Sequence, residues 1–175
     1  MKLNIVLVEP EIPQNTGNIV RTCSVTGAKL HLVYPLGFTI DNKKMIRSGL
    51  DYWNEVDIEY HTSFDEFLKK YDVLSHKMYL TSSKGRHCYA DVDYKNDLKE
   101  IDDDNVFILF GKETKGLPED FLAKYEERTI RIPMLEKGRC LNLSNSVGIV
   151  GYEVLRQFNF EGLKEESTFL DNGIK

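Results

Sequence analysis

"LNIVLVEPEIPQNTGNIVRTCSVTGAKLHLVYP", residues 3–35, decides the fold. Its opening, LNIVLVE (3–9), is a β-branched apolar run that ends against Pro10, the pattern of a strand buried on both faces. A loop with two prolines follows. Asn15 or Thr16 can then cap a helix through GNIVRTCSVTG, and Gly27 is its natural stop. KLHLVYP (29–35) returns as a strand. Outward from this unit the alternation continues. DNKKMIRSGL reads as a short helix from Asp41, VDIEYH as a strand, and SFDEFLKKY as a helix with Ser63 and Glu66 in capping-box spacing. KMYLTSS (77–83) and VFILFG (106–111) have strand length. PEDFLAKY (118–125) is a helix with proline at its first turn, RTIRIPM (128–134) a strand, and VGIVGYEVLRQF (147–158) a buried helix. Such alternation predicts an α/β fold with a mostly parallel sheet and helices on both faces, whose ligands bind at the carboxyl ends of strands. A single domain over 1–160 and a polar C-terminal tail over 161–175 are expected.

The 175 residues are 41% hydrophobic and 29% charged, an ordinary globular composition, and no apolar run approaches the roughly 20 residues that cross a bilayer. No membrane contact is therefore expected. MKLNIVLVEPE reads as a first strand and not as a signal peptide. Cys23, Cys88 and Cys140 form no CxxC pair, which predicts reduced thiols and a cytoplasmic location. No Cys/His cluster has metal-ligand spacing, so no metal is expected. Each of the four histidines is expected at the surface or half buried. The net charge of −5 argues mildly against nucleic acid, yet basic residues gather in NKKMIRSG (42–49), SKGRH (83–87) and EKGR (136–139), at loops and element ends.

Two nucleotide signatures fail. LFGKETKG has Val106 where a P-loop needs glycine and Glu113 where it needs Ser or Thr, and no GxGxxG follows the first strand. Three other stretches stand at predicted strand ends. In NTGNIVR (15–21), Gly17 and Arg21 lie four apart on one helical face, so that a ligand could approach the glycine and meet the guanidinium. LFGKETKGLP (109–118) packs two glycines, two lysines and a glutamate into one turn. RIPMLEKGRCLNLSNSVG (131–148) crowds small polar residues before a helix that Gly148 and Gly151 then interrupt, each at a cost of roughly 0.5–1 kcal/mol relative to alanine. Singly, each suits a capped helix or a turn. Chance would seldom place all three in this order on one α/β frame.

Together these stretches resemble the SPOUT class of RNA methyltransferases. NTGNIVR is similar to its first motif, LFGKETKGLP to its second through Gly111, Glu113, Gly116 and Leu117, and IPM…LNLSNSVGIVGYE to its third. LNIVLVEPEIPQNTGNIVRTC and HLVYPLGF…SGLDYW further resemble the small TrmL (YibK-like) family over about residues 3–158. The resemblance implies a C-terminal trefoil knot and a homodimer packed through the first and last helices. It implies S-adenosyl-L-methionine as cofactor, S-adenosyl-L-homocysteine as product, and methylation of the ribose 2′-hydroxyl of wobble nucleotide 34 in the tRNA anticodon stem-loop, cytidine or uridine. Thr81, Gly111, Ile132 and Cys140, with Leu141 beside them, match its cofactor contacts. Cys140 stands where the family more often has serine. On this resemblance Gly148 and Gly151 serve close approach in knot and dimer, alongside plain helix packing.

A ribose hydroxyl is a very weak acid, so something must stabilise oxyanion character or take the proton. Arg21, too basic to accept one near neutrality, is expected to hold the oxygen or a neighbouring phosphate. Glu113, Asn142 and Ser144 would orient ribose or Arg21, and Tyr152 would support the site, the dimer or the core. Lys43, Lys44, Arg47, Lys84, Arg86, Lys112 and Lys115 are candidate phosphate contacts, and Tyr52 and Trp53 candidate stacking surfaces. A methyltransferase for another RNA such as rRNA, a non-catalytic RNA- or cofactor-binding module, and a small-molecule binder stay open.

Overall fold

The computed structural model describes residues 1–40, 50–101, 103–136 and 140–166. The helix expected from Asp41, with Lys43, Lys44 and Arg47, lies outside the described residues. Among those described, seven strands form one sheet: β1 (Lys2–Val8), β2 (Lys29–Val33), β3 (Ile58–His61), β4 (Lys77–Thr81), β5 (His87–Cys88), β6 (Asn105–Phe110) and β7 (Thr129–Arg131). Their order is β3-β2-β1-β6-β4-β7-β5, and every pairing is parallel.

Period-2 alternation assigns each strand residue to a face. Leu3, Ile5 and Leu7 of β1, with Val106, Ile108 and Phe110 of β6, pack against α1 (Pro13–Thr26) and α4 (Leu143–Gln157) through Ile19, Val20, Val147, Val150 and Val154. Val6, Val8, Met78, Leu80, Phe107 and Leu109 point the other way. They meet Phe67 of α2 (Phe64–Lys70) and the partly buried Phe121 and Leu122 of α3 (Glu119–Lys124). Both faces are covered, which explains strands that read as continuous apolar runs.

The local signals mostly hold. Ser63 caps α2 by accepting from the Glu66 amide at 3.1 Å, and Glu66 reaches back to the Thr62 amide. Gly27 closes α1 at φ 70°. The start of α1 differs from expectation: the helix begins at Pro13, with Ile12 at the cap position and no local side chain capping it. Asn15 and Thr16 sit buried in the first turn instead. A carboxylate from another loop, described below, serves the free amides. The two-residue β5 and the 3₁₀ turn at Leu50–Glu55 had no sequence signal.

Two histidines depart from expectation. His31 and His61 are buried, their rings stacked at 5.3 Å and ringed by Phe67, Tyr71 and Phe107. The Asn4 amide nitrogen is committed to the Lys2 carbonyl and Asn105 Oδ1, so Asn4 Oδ1 accepts from His31 Nε2–H at 3.1 Å. His31 Nδ1 is then the acceptor for His61 Nε2–H, also at 3.1 Å. Burial pushes both imidazoles down, His31 to about 3, so both are neutral at neutral pH. Beside them, burial raises the Glu59 carboxyl, but hydrogen bonds from Lys29, Lys70 and Tyr71 outweigh it and hold it at about 2.

The α4 glycines also differ from expectation within one chain. A Cβ on Gly148 would meet nothing within 4 Å, and one on Gly151 only Leu3 at an ordinary 3.7 Å. No contact among the described residues of this chain requires either to be glycine.

Candidate active site at the strand ends

β6, β4 and β7 are neighbours in the sheet, and the loops leaving their carboxyl ends enclose a cavity of about 700 Å³. Its walls are Phe110, Leu117, Leu122, Ile132, Leu143 and Val150, and its rim is polar. The second loop folds back as a tight turn, in which Lys112 bridges Gly116 and Gly116 N donates to the Lys112 carbonyl at 2.8 Å. Gly111 makes that turn possible. A Cβ there would sit 2.0 Å from the Gly116 carbonyl carbon, inside its van der Waals shell. Thr81 Oγ1 donates to the Leu109 carbonyl at 2.8 Å and pins the end of β4 to β6.

The three motifs meet in one hydrogen-bonded chain on this rim. The Glu113 carboxylate accepts from Glu11 N at 2.7 Å, Ile12 N at 3.2 Å and Asn15 Nδ2 at 3.0 Å. It thereby satisfies free amides at the start of α1 and places negative charge at that helix's positive end. Asn15 Oδ1 accepts from Asn142 Nδ2 at 2.8 Å. Asn142 caps α4, its Oδ1 accepting from Ser144 N at 2.9 Å and Ser144 Oγ at 2.7 Å. In return the Glu11 carboxylate accepts from Thr114 N and Oγ1, bonds that lower its pKa and tie the first loop to the second.

Thr81, Gly111, Ile132, Cys140 and Leu141 all line the cavity, as do Glu113, Asn142, Lys84, Lys112 and Lys115. Arg21, Ser144, Tyr152 and Arg86 are not among the lining residues. Gly17 is buried and Arg21 exposed, so the pair does not present one open face; the guanidinium lies 5.5 Å over the Tyr52 ring. Ser144 reaches the rim only through Asn142. Tyr152 stands 46% exposed on α4 and is no core residue. Arg86 pairs with Glu127 at 2.7 Å beside a separate polar pocket, Lys84 with Glu119 at 2.8 Å, and Lys112 with Glu9. Asn15 is the site residue that local sequence signals do not reveal: its type suits a helix cap, although it opens the first motif and bonds both Glu113 and Asn142.

Among the described residues, one group of possible metal ligands converges, His31, Glu59 and His61 within 4.8 Å. Hydrogen bonds already engage both His31 nitrogens, His61 Nε2 and both Glu59 carboxylate oxygens, so these atoms serve an internal network. The cavity suits a different ligand. Its volume falls in the range of small-molecule sites. Apolar walls fit a purine, and the close-turned main chain at Gly111 together with Asn142 on the rim can meet the polar edges of a nucleoside carrying an amino acid.

The fold and this site define an α/β protein with a parallel sheet and a cavity of small-molecule size at its strand ends. Residues 2–152 match the SpoU rRNA Methylase family, and the chain belongs to it. A protein of Listeria monocytogenes serotype 4b (strain F2365) is 48% identical over 169 residues, covering 97% of this chain and 96% of its own. A Yersinia pestis relative named tRNA (cytidine(34)-2′-O)-methyltransferase is 45% identical over 169 residues, covering 93% and 99%. A solved structure described as giving insights into 2-OH methylation of C/U34 on tRNA superposes with TM-score 0.80 at 39% identity, over 90% of this chain and 97% of that one. An AdoMet-bound rRNA methyltransferase from Sinorhizobium meliloti superposes with TM-score 0.75 at 25% identity, over 89% of this chain and 56% of that one.

Proposed function

We propose that this protein transfers a methyl group from S-adenosyl-L-methionine to the ribose 2′-hydroxyl of nucleotide 34 in the tRNA anticodon loop. The observation that carries this is the hydrogen-bonded chain Glu113–Asn15–Asn142–Ser144, which joins all three motifs on the rim of the cavity. Relatives that share nearly the whole length of the chain support the substrate.

Bound in the cavity, S-adenosyl-L-methionine supplies an electrophilic methyl group. Thr81, Gly111, Ile132, Cys140 and Leu141 would hold it, largely through main-chain atoms, so that cysteine can replace serine at 140. Glu113 and Asn142 keep the rim in place and orient the ribose. Lys84, Lys112 and Lys115 meet phosphates. Holding donor and acceptor in line contributes much of the acceleration for a two-substrate reaction. Arg21 stabilises negative charge on the attacking oxygen or holds the adjacent phosphate.

Arg21 does not line the cavity of its own chain, so this role needs a second copy. We place the homodimer contact on α1 and α4. Val25, Ile149 and Tyr152 expose apolar surface there, and Gly148 leaves open space beside them. Each cavity would then receive its guanidinium across the interface. A trefoil knot belongs to the same proposal. Residues 92–94 lie over α4, with Gln157 donating to the Val92 carbonyl and accepting from Tyr94 N, both at 2.8 Å, and β7 lies between β4 and β5. No helix among the described residues is long and apolar enough to cross a membrane, and the reaction belongs in the cytoplasm with its tRNA.

Nucleoside mass spectrometry of tRNA from cells lacking the protein tests the reading. Loss of 2′-O-methylation at position 34 is expected; unchanged tRNA with a lost rRNA methyl group would overturn the substrate assignment.

A further inference from the structure

We propose that Tyr34, Trp53 and Tyr60 form a platform on which unpaired bases of the substrate RNA loop stack. This inference rests on the tRNA reading above and adds to it the surface that grips the loop beside the reacting ribose. Tyr34, just beyond β2, is 36% exposed, and Tyr60, on the edge strand β3, is 45% exposed. Large aromatic rings at such exposure contribute little to the core. Their centroids are 6.4 Å apart with planes tilted by 45°, so neither ring covers the face of the other. Trp53 Nε1–H donates to Tyr60 Oη at 3.0 Å. That bond satisfies the indole donor; Trp53 packs partly against the core, and the uncovered part of its ring is the chemistry on offer.

The platform continues into the site. Tyr52 and Trp53 are neighbours on one 3₁₀ turn, and the Arg21 guanidinium lies over the Tyr52 ring. A line of π faces and one cation therefore runs from the sheet edge to Arg21, which on the reading above serves the ribose oxygen or its phosphate at the second copy's cavity. From the other side, the loop after Tyr34 is fastened to the first motif loop by Gly37 N donating to the Pro10 carbonyl at 2.9 Å. Glu11, the next residue, binds Thr114 on the cavity rim. The platform is thus also joined to its own chain's cavity, on the carboxyl-end side of the sheet, by short covalent and hydrogen-bonded links. Splayed bases stacked on aromatic side chains beside a guanidinium are how proteins hold single-stranded RNA loops.

The test uses the full-length protein with an anticodon stem-loop RNA and with the same RNA made abasic at its loop positions. Trp53 is the single tryptophan, so its fluorescence reports directly on the platform. The intact loop should quench it and the abasic loop should not. Y34L and Y60L should each weaken binding of the intact loop at least about fivefold. The slope of log K against log salt should not change, because no phosphate contact is lost. Y60F, which keeps the ring, should bind like the unaltered protein. Equal affinity for intact and abasic loops, a reduced salt slope, or loss of the dimer in Y34L or Y60L by sedimentation would overturn the platform, the last by making it a subunit contact. If the unaltered protein methylates tRNA while both leucine variants bind it normally, the platform alone fails. If the unaltered protein binds neither RNA and methylates no tRNA, the functional reading fails and takes the platform with it.

Discussion

Two polar networks in this molecule are built from similar parts and end differently. One is His61–His31–Asn4–Asn105 beneath α2. The other is Glu113–Asn15–Asn142–Ser144 at the ends of β6 and β7. Each is threaded by asparagines whose amides donate on one side and accept on the other. The first is sealed: aromatic rings surround it and Glu59 is held by two lysines and a tyrosine. The second borders a cavity of about 700 Å³. A closed network fixes the register of neighbouring strands, whereas an open one holds loops in place and leaves room for a ligand. The difference lies in what faces the network, apolar rings or space.

The largest effect should come from the open side. Arg21→Ala should lower single-turnover methyl transfer by about 100- to 1,000-fold while S-adenosyl-L-methionine binding, read by calorimetry, stays intact. Loss of cofactor binding instead would place Arg21 in the cavity. Gly111→Ala should come next. Its Cβ would strike the Gly116 carbonyl carbon, so the turn must open, at a cost of about 1–3 kcal/mol in urea denaturation and a loss of cofactor affinity of at least about tenfold. A variant that keeps cofactor affinity would detach the turn from the site.

The sealed side should respond to acid. His31 titrates near 3 when folded and near 6.5 when unfolded, so the unfolded chain binds the extra proton. Stability should therefore be fully present above pH 6.5 and fall as pH drops towards 3, by about 2 kcal/mol at pH 5 from this residue. Urea midpoints between pH 7 and 5 measure this, and His31→Asn should flatten the profile. A profile equally steep in that variant would assign the acid sensitivity elsewhere. The smallest effect belongs to two exposed cations, Lys84 on the rim and Arg86 beside the separate pocket. Lys84→Gln with Arg86→Gln should weaken tRNA binding and reduce the salt slope by at most about two, since Glu119 and Glu127 already neutralise part of each charge. Stability should hardly change, because these ion pairs are exposed and screened by solvent. An unchanged slope in filter binding removes both from the RNA surface.

Apolar runs and turn residues carried most of the architecture, because strands such as β1 and β6 are buried on both faces and their composition says so. The Ser63 cap and the Gly27 stop are local signals and were legible for that reason. The start of α1 was not, since its free amides are served by Glu113, about a hundred residues away. The burial of His31 and His61 escapes the sequence for the same reason: thirty residues separate them along the chain, and only the pairing of β2 with β3 brings their rings together. In the site, the motif glycines and Asn142 pointed to the right loops. The location of Arg21 outside the cavity depends on how α1 rotates against the 3₁₀ turn, which no spacing rule reports.

The order of strands carries a consequence for synthesis. β6 must slide between β1 and β4, and β7 between β4 and β5, before the sheet is whole. A nascent polypeptide halted before residue 105 therefore cannot join its two halves, and one halted before residue 143 has three loops but no helix to close them. A ribosome that drops off late should release no weakened enzyme, only a chain for the proteases.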